Sequence, residues 1–193
     1  MFVVAFGLLV FGCHRSPPLD TSPLDLSGMS FDTVQQLKTL NISAAEVAEL
    51  AKLKQAGFSD SSCLAAVQIF RQRGAAFNAG DTIAGLVRAG IKESTVLELA
   101  RMNQLGLVAG ELQAMRLAGL SDEIVLAVAH RRAEGKPVLS GASLAGMKNA
   151  GIRNTTLLEL ARRGVPDSQA NAIISSRRHG ASDADILRRF TGS

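Results

Sequence analysis

The chain has no tryptophan and no tyrosine, and only 8 of its 193 residues are phenylalanine. Grooves that bind single-stranded nucleic acids stack the bases on aromatic side chains, so this composition disfavours that class of protein. The formal net charge is +4, and so small an excess does not require a nucleic acid or an anionic membrane as partner. We therefore expect no nucleic-acid partner.

Residues that commonly carry catalysis or bind metals are also scarce. The chain has 2 cysteines and 3 histidines, and no histidine has a second histidine or cysteine at the spacing of metal ligands. It contains no HExxH, paired CxxC, P-loop or GxSxG motif. The sequence therefore predicts no catalytic residue, no metal and no cofactor.

An uncharged and almost wholly apolar run occupies residues 1–12. It is too short to cross about 30 Å of hydrocarbon as a helix, and it is typical of the core of a secretory signal peptide. The run ends in Val10-Phe11-Gly12-Cys13, which resembles the lipobox of bacterial lipoproteins. The resemblance implies that Cys13 becomes the lipidated first residue of an exported protein and that its acyl chains anchor the protein to a membrane.

The residues after Cys13 bear on the location of the protein. His14 stands where an Asp would retain a lipoprotein on the inner membrane, so the resemblance favours the outer membrane of the cell envelope. Residues 13–27 contain three prolines and several small polar residues. This composition predicts a solvated, semi-extended tether between the lipid and a folded domain.

The remainder of the chain repeats itself. The segment Gly90-Ile-Lys-Glu-Ser-Thr-Val-Leu-Glu-Leu-Ala-Arg is matched 61 residues later by Gly151-Ile-Arg-Asn-Thr-Thr-Leu-Leu-Glu-Leu-Ala-Arg, and a weaker copy begins at Gly28. A fixed period of this size indicates a repeat architecture. We therefore divide the folded part into residues 28–89, 90–150 and a partial copy, 151–193.

A glycine or asparagine follows each stretch of helical apolar periodicity. These residues tolerate the left-handed conformation that ends a helix, which predicts helix ends at Asn41, Gly57, Gly74, Gly90, Asn103, Gly119, Gly135, Gly151, Gly164 and Gly180. Serines in equivalent positions then predict the N-caps of the following helices: Ser59, Ser121 and Ser182.

These predicted helix ends and N-caps indicate an all-α fold of about ten to eleven short helices, with four helices in each repeat of roughly 61 residues. It leaves open whether the array is solenoid-like or a compact bundle. Cys63 stands where the other copies have Val125 and Ile186, so we expect it to lie in the core. The motif Ala89-Gly90-Ile91-Lys92-Glu93 is similar to tandem short-helix repeats of bacterial envelope-associated proteins, which have no assigned activity.

Charged residues offer two candidate sites. The first is a basic contact surface near the C-terminus, made of Arg162, Arg163, Arg177, Arg178, Arg188 and Arg189. The alternative interpretation is that these arginines complement helix dipoles. The second is a cryptic enzyme site that uses Glu98, Glu159 and His130. Exposed ion pairs of Glu98 with Arg101 and of Glu159 with Arg162 explain the two carboxylates more simply.

Together, these features predict a lipid-anchored cell-envelope protein that presents a non-catalytic helical surface to another envelope protein. The first alternative is a periplasmic structural or accessory domain whose basic end contacts an anionic envelope surface. The second and least supported alternative is the cryptic enzyme.

Overall fold

The computed structural model describes residues 18–192, apart from the side chains of residues 107–109 and 113. The predicted signal peptide, residues 1–12, and the predicted lipidation site, Cys13, lie outside the described residues. Residues 18–192 form 12 α-helices and one 3₁₀ turn, and they contain no strand. The prediction of an all-α helical array is confirmed.

The helices follow one another with short connections: α1 (Ser22–Leu26), α2 (Phe31–Thr39), α3 (Ala44–Gln55), α4 (Asp60–Gln72), α5 (Gly80–Arg88), α6 (Glu93–Arg101), α7 (Leu105–Leu117), α8 (Asp122–Ala133), α9 (Gly141–Asn149), α10 (Asn154–Arg163), α11 (Ala170–Arg178) and α12 (Asp183–Thr191). The 3₁₀ turn, Asp167–Gln169, immediately precedes α11.

The helices are arranged in two layers. Each odd-numbered helix packs on the odd-numbered helices before and after it, each even-numbered helix does the same, and successive helices pack as pairs across the two layers. Each helix makes its main contacts with helices one or two positions away in the chain. This is the stacking of an α-solenoid, in which a unit contacts only its neighbours, and it answers the question that the sequence left open.

Helix length explains the period of the sequence. The pairs α3/α4 and α7/α8 consist of helices of 12 or 13 residues, whereas α5/α6 and α9/α10 consist of helices of 9 or 10 residues. One long pair and one short pair together make one repeat of four helices. The boundaries that we placed after residues 89 and 150 fall between the two helices of a short pair.

The backbone confirms every predicted helix end. All ten glycines and asparagines that mark predicted ends have positive φ. At Gly57 the amide of the next residue, Phe58, donates to Leu53 O at 3.0 Å, and the Gly57 amide donates to Lys54 O at 2.9 Å. These two bonds define a Schellman cap, which turns the apolar residue after the glycine back onto its own helix. Phe58 is consequently buried, as is its counterpart Leu120.

The folded array begins earlier than the sequence predicts. The proline-rich composition of residues 13–27 predicts a tether throughout, but Ser22–Leu26 forms α1, with a proline in its first turn. Helix α1 packs on α3, and its Leu24 is fully buried. Proline is compatible with the first turn of a helix because the amide it lacks has no partner there in any case. Proline content alone therefore did not distinguish a helix start from a tether.

The core is one continuous apolar cluster that runs along the interface between the two layers. Cys63 lies in it and is fully buried, like Val125 and Ile186, which confirms its predicted role. Burial raises the pKa of the Cys63 thiol to about 12. None of the helices formed by residues 18–192 combines the length and the apolarity that crossing a membrane requires.

Replacing Gly90 or Gly151 by valine tests the predicted helix ends. Their φ values are +82° and +88°, a region that a β-branched residue occupies only under strain, so each substitution should lower the free energy of unfolding by about 1 to 2 kcal/mol. Urea denaturation followed by circular dichroism measures the change. The control is Gly85→Ala inside α5, where a new β-carbon meets nothing within 4 Å and should cost no stability. Valine variants as stable as the parent would show that these helix boundaries are wrong.

Candidate functional site

The helices of the even-numbered layer are joined at their N-termini by carboxylates. Asp60, the first residue of α4, accepts the Ser30 amide at the start of α2 at 2.7 Å. Glu93, the first residue of α6, accepts the Ser59 amide at the start of α4 at 3.0 Å and the Ser59 hydroxyl at 2.6 Å. Each bond, which we call a carboxylate link, satisfies an N-terminal amide that has no acceptor within its own helix.

The same link recurs farther along the layer. Asp122 on α8 accepts the Lys92 amide at 3.1 Å and the buried Thr95 hydroxyl at 3.0 Å. Asp183 on α12 accepts the Arg153 amide at 3.2 Å and the Thr156 hydroxyl at 2.6 Å. Asp60, Asp122 and Asp183 each follow a predicted N-cap serine and are the first residues of their helices. Their bonds to the preceding helix of the layer were not predicted from the sequence.

Two of these carboxylates, Asp60 and Asp183, are held in their charged form. Burial opposes ionisation of Asp60, but the Lys54 ammonium and the amide and hydroxyl of Ser30 outweigh it and lower the pKa of Asp60 to about 2. Burial likewise opposes ionisation of Asp183, and the hydrogen bonds from Thr156 and Arg153 lower its pKa. These residues therefore bind amide groups as anions, which makes the hydrogen bonds stronger than those between neutral groups.

A sequence signal for these links was present and overlooked. A basic residue stands three positions before the cap glycine, and an aspartate stands three positions after it, in each of the segments 54–60, 116–122 and 177–183. The basic residue pairs with that aspartate: Lys54 with Asp60 at 2.5 Å, Arg116 with Asp122 at 3.5 Å and Arg177 with Asp183 at 3.2 Å. The ion pair closes the turn between the two helices of a pair.

The series of carboxylate links is interrupted between α8 and α10. Asn154 occupies the position that corresponds to Glu93, and its amide nitrogen donates to Gly119 O at 3.1 Å. Its side-chain oxygen is buried and has no hydrogen-bond partner. Ser121 at the start of α8 makes no side-chain cap, whereas Ser59 both caps its own helix and donates to Glu93. Asn154 is thus a neutral substitute that satisfies fewer groups than a glutamate would.

Most of the predicted basic surface is engaged within the array. Arg177 donates to Ala181 O at 3.0 Å and to Gly151 O at 2.9 Å, in addition to its pair with Asp183. The remaining contacts involve neighbouring side chains: Arg163 pairs with Glu159 at 2.5 Å, Arg188 pairs with Asp185 at 2.7 Å, and Arg189 lies over the Phe190 ring. Of the six, only the side chains of Arg162 and Arg178 make no hydrogen bond, ion pair or ring contact within residues 18–192.

The residues of the cryptic enzyme do not converge. Glu98 pairs with Arg101 at 2.9 Å, as expected. Glu159 pairs with Arg163, four positions along the helix, and not with the expected Arg162, three positions along. Glu98 is on α6 and Glu159 is on α10, and α8 lies between these helices. The described part of the chain holds no cluster of three or more histidine, cysteine, aspartate or glutamate side chains that could bind a metal ion.

An open groove of about 520 Å³ lies against α8 and receives Arg162 from α10. Its apolar surface comes from Leu126 and Ala127, which are half-buried. Its charged and titratable side chains come from α8, from the connection that follows it and from α10: Glu123, His130, Arg131, Glu134, Lys136 and Arg162. The groove therefore brings together two candidates from different predicted sites, His130 and Arg162, but neither Glu98 nor Glu159 lines it.

The groove has a well-defined wall because Arg131 is held in place. Its guanidinium donates to Pro137 O at 2.9 Å in the α8–α9 connection and to Arg162 O at 3.0 Å at the end of α10. The same guanidinium lies against Gly164, where a β-carbon would collide with it. Lys136 is paired with Glu134 at 2.7 Å. Sequence periodicity could not reveal this groove, because it depends on how α8 and α10 are placed side by side.

Introducing the missing carboxylate should stabilise the array. Asn154→Glu places at the start of α10 the residue that Glu93 provides for α6, and it should accept the Ser121 amide and hydroxyl. We expect the free energy of unfolding to rise by roughly 1 kcal/mol, the net value of charge-assisted hydrogen bonds less the lost bond to Gly119. Urea denaturation measures the change.

The matched control for Asn154→Glu is Glu93→Gln, which removes the charge from an existing link and should lower stability by a similar amount. If Asn154→Glu is no more stable than the parent while Glu93→Gln is less stable, the junction between α8 and α10 cannot accept a carboxylate link. If neither variant differs from the parent, the links do not contribute to stability.

Comparisons of the chain with models of protein families, with curated proteins and with solved structures find no match. Its function must therefore be inferred from its own residues and their arrangement.

Proposed function

We propose that this chain is a lipid-anchored protein of the bacterial cell envelope and that its helical array is a non-catalytic surface for binding another envelope protein. The observation that carries the binding part of the proposal is the open groove at α8. A repeat array exposes a long surface relative to its core, and such surfaces commonly serve in binding. The anchoring part rests on the apolar run and on Val10-Phe11-Gly12-Cys13.

The chemistry of the groove favours a polypeptide as its ligand. Half-buried Leu126 and Ala127 offer apolar contact, while Glu123 and Glu134 lie in the same groove as Lys136 and Arg162. A surface that carries both signs of charge around an apolar strip complements a protein segment, which also carries both. An anionic lipid surface would instead be matched by a patch of one sign.

The alternative of a basic end that contacts an anionic surface has weaker support. Arg163, Arg177 and Arg188 are paired with carboxylates of the array itself. Arg162, Arg178 and Arg189 are exposed and pair with no carboxylate of residues 18–192, and three exposed cations provide limited attraction at physiological ionic strength. The cryptic enzyme has the least support, because each of its two glutamates is paired with an arginine on its own helix.

The anchoring part of the proposal is tested by Cys13→Ser in bacterial cells that process lipoproteins. The parent chain should lose residues 1–12, gain the mass of a diacylglycerol and its further acyl chain, and fractionate with membranes, because several acyl chains anchor stably. The Cys13→Ser variant should lack the lipid mass and leave the membrane fraction. Cys63→Ser is the control and should remain lipidated. A parent chain of unmodified mass in the soluble fraction would rule out the anchor.

The binding part is tested with a photocrosslinking amino acid at Ala127, in the groove. Ala65 on α4, in the unit one repeat earlier, is also half-buried and serves as the matched control position. We expect a discrete crosslinked product in intact cells from position 127 and none from position 65. The product should weaken when Arg162→Glu reverses a charge of the groove, and should persist with Arg178→Glu, because Arg178 does not line the groove. Equal crosslinking from positions 127 and 65 would contradict the groove as the binding site.

A further inference from the structure

We propose that the turn between α1 and α2 rests on the surface of the lipid bilayer and inserts the side chains of Leu26 and Phe31 past the headgroups to the start of the acyl chains. This inference depends on the proposed lipidation of Cys13. We call the segment Leu26–Phe31, which ends α1 and begins α2, the first tip. It would give the protein a second, non-covalent contact with the membrane and would orient the array relative to the bilayer.

The first tip exposes an unusual amount of apolar surface. Leu26 is 89% exposed and Phe31 is 71% exposed, and Leu117 is the other large apolar residue that the described part of the array leaves in water. The two exposed residues of the first tip flank one four-residue turn, in which Met29 is directed into the core. Two large apolar side chains exposed to water at the two ends of one short turn are unfavourable unless another apolar phase covers them.

The position of Phe31 in the repeat explains why a carboxylate is not needed there. Phe31 is the first residue of α2, and the same position holds Asp60 in α4, Glu93 in α6 and Asp122 in α8. Those carboxylates bind the N-terminal amide of the preceding helix in their layer. Within residues 18–192, no helix precedes α2 in the even-numbered layer, so a carboxylate at this position would have no amide to bind. The edge of the array carries a phenylalanine instead.

The length of the chain between Cys13 and the array brings the bilayer to this edge. The five residue steps from Cys13 to Pro18 reach at most about 18 Å when fully extended. From there the chain is held to the array, because Leu19 packs against the core and Thr21 is buried. Helix α1 has 5 residues and adds only about 7.5 Å. A lipid on Cys13 therefore leaves the first helix pair within a short distance of the headgroups.

The charges around the first tip specify the lipid. Asp25 and Asp32 are exposed and immediately precede Leu26 and follow Phe31. Two carboxylates are repelled by anionic headgroups and are compatible with zwitterionic ones. A second copy of the chain is a poorer occupant, because two side chains provide far less than the roughly 1,200 Å² that a stable interface buries.

A single tryptophan at the first tip tests the inference. The chain has no tryptophan and no tyrosine, so Phe31→Trp introduces the only strong fluorophore. The processed lipoprotein would be reconstituted into phosphatidylcholine vesicles with brominated acyl chains, which quench a tryptophan that enters the bilayer. Leu117→Trp, at the exposed end of α7, is the matched control. We expect position 31 to emit at shorter wavelength and to be quenched at least about twofold more than position 117.

The outcomes separate this inference from the proposed function. Lipidated protein on vesicles with equally weak quenching at both positions overturns the contact of the first tip but leaves the anchor intact. Equal strong quenching also overturns it, because the array would then lie flat on the bilayer. A blue-shifted but unquenched tryptophan at position 31 shows that protein, and not lipid, covers the first tip. A chain without the lipid mass, detected before any fluorescence measurement, overturns the anchor and the inference together.

Discussion

Helices as short as those of this array leave a large fraction of their amide groups without partners, and the stacking depends on carboxylates that supply the missing acceptors. A helix of 9 residues has four N-terminal amides without an intrahelical acceptor, so nearly half of its donors must be satisfied from outside. Asp60, Glu93, Asp122 and Asp183 satisfy one such amide each, and each carboxylate belongs to the next helix in the layer. The odd-numbered layer uses the same chemistry at Ser140, whose amide donates to Asp167 at 2.8 Å. Apolar burial holds the two layers together, while these directional bonds fix how neighbouring pairs are aligned.

Local signals in the sequence predicted the helix ends because the physics of a helix end is local. The left-handed conformation strongly favours glycine and, after it, asparagine, whatever surrounds the residue, and all ten predicted positions have positive φ. The same holds for Cys63, whose position within a periodic apolar stripe was enough to predict its burial. The start of the array was harder to predict, since Ser22–Leu26 is only 5 residues long and is stabilised by packing of Leu24 in the core, which composition does not reveal.

The geometry of the candidate site could not be predicted from the sequence, because it depends on which side chains pair and which helices are neighbours. The sequence draws attention to the charged residues in repeated positions: Glu98, Glu159 and the six arginines. What a charged side chain does, however, depends on the group with which it pairs. The structure shows that Arg177 binds three groups of the turns around it and that Glu159 binds Arg163. Conversely, the groove at α8 combines His130 with Arg162 across two helices. A pairing between residues of successive helices, such as Arg116 with Asp122, could have been found from its recurring spacing; a contact between α8 and α10 could not.

The confinement of packing to helices one and two positions away has a consequence for how the chain acquires its structure. Since the helices of residues 18–192 make their main contacts with near neighbours in the chain, the entropic cost of closing long loops is small, and native contacts can form as soon as two successive pairs are present. A chain delivered from one end, as through a secretion channel, would accordingly assemble pair by pair in the order of its residues. Each newly arrived pair of helices would meet a complete packing surface on the pair before it. The earlier pairs would therefore not have to be kept unfolded until the chain is finished.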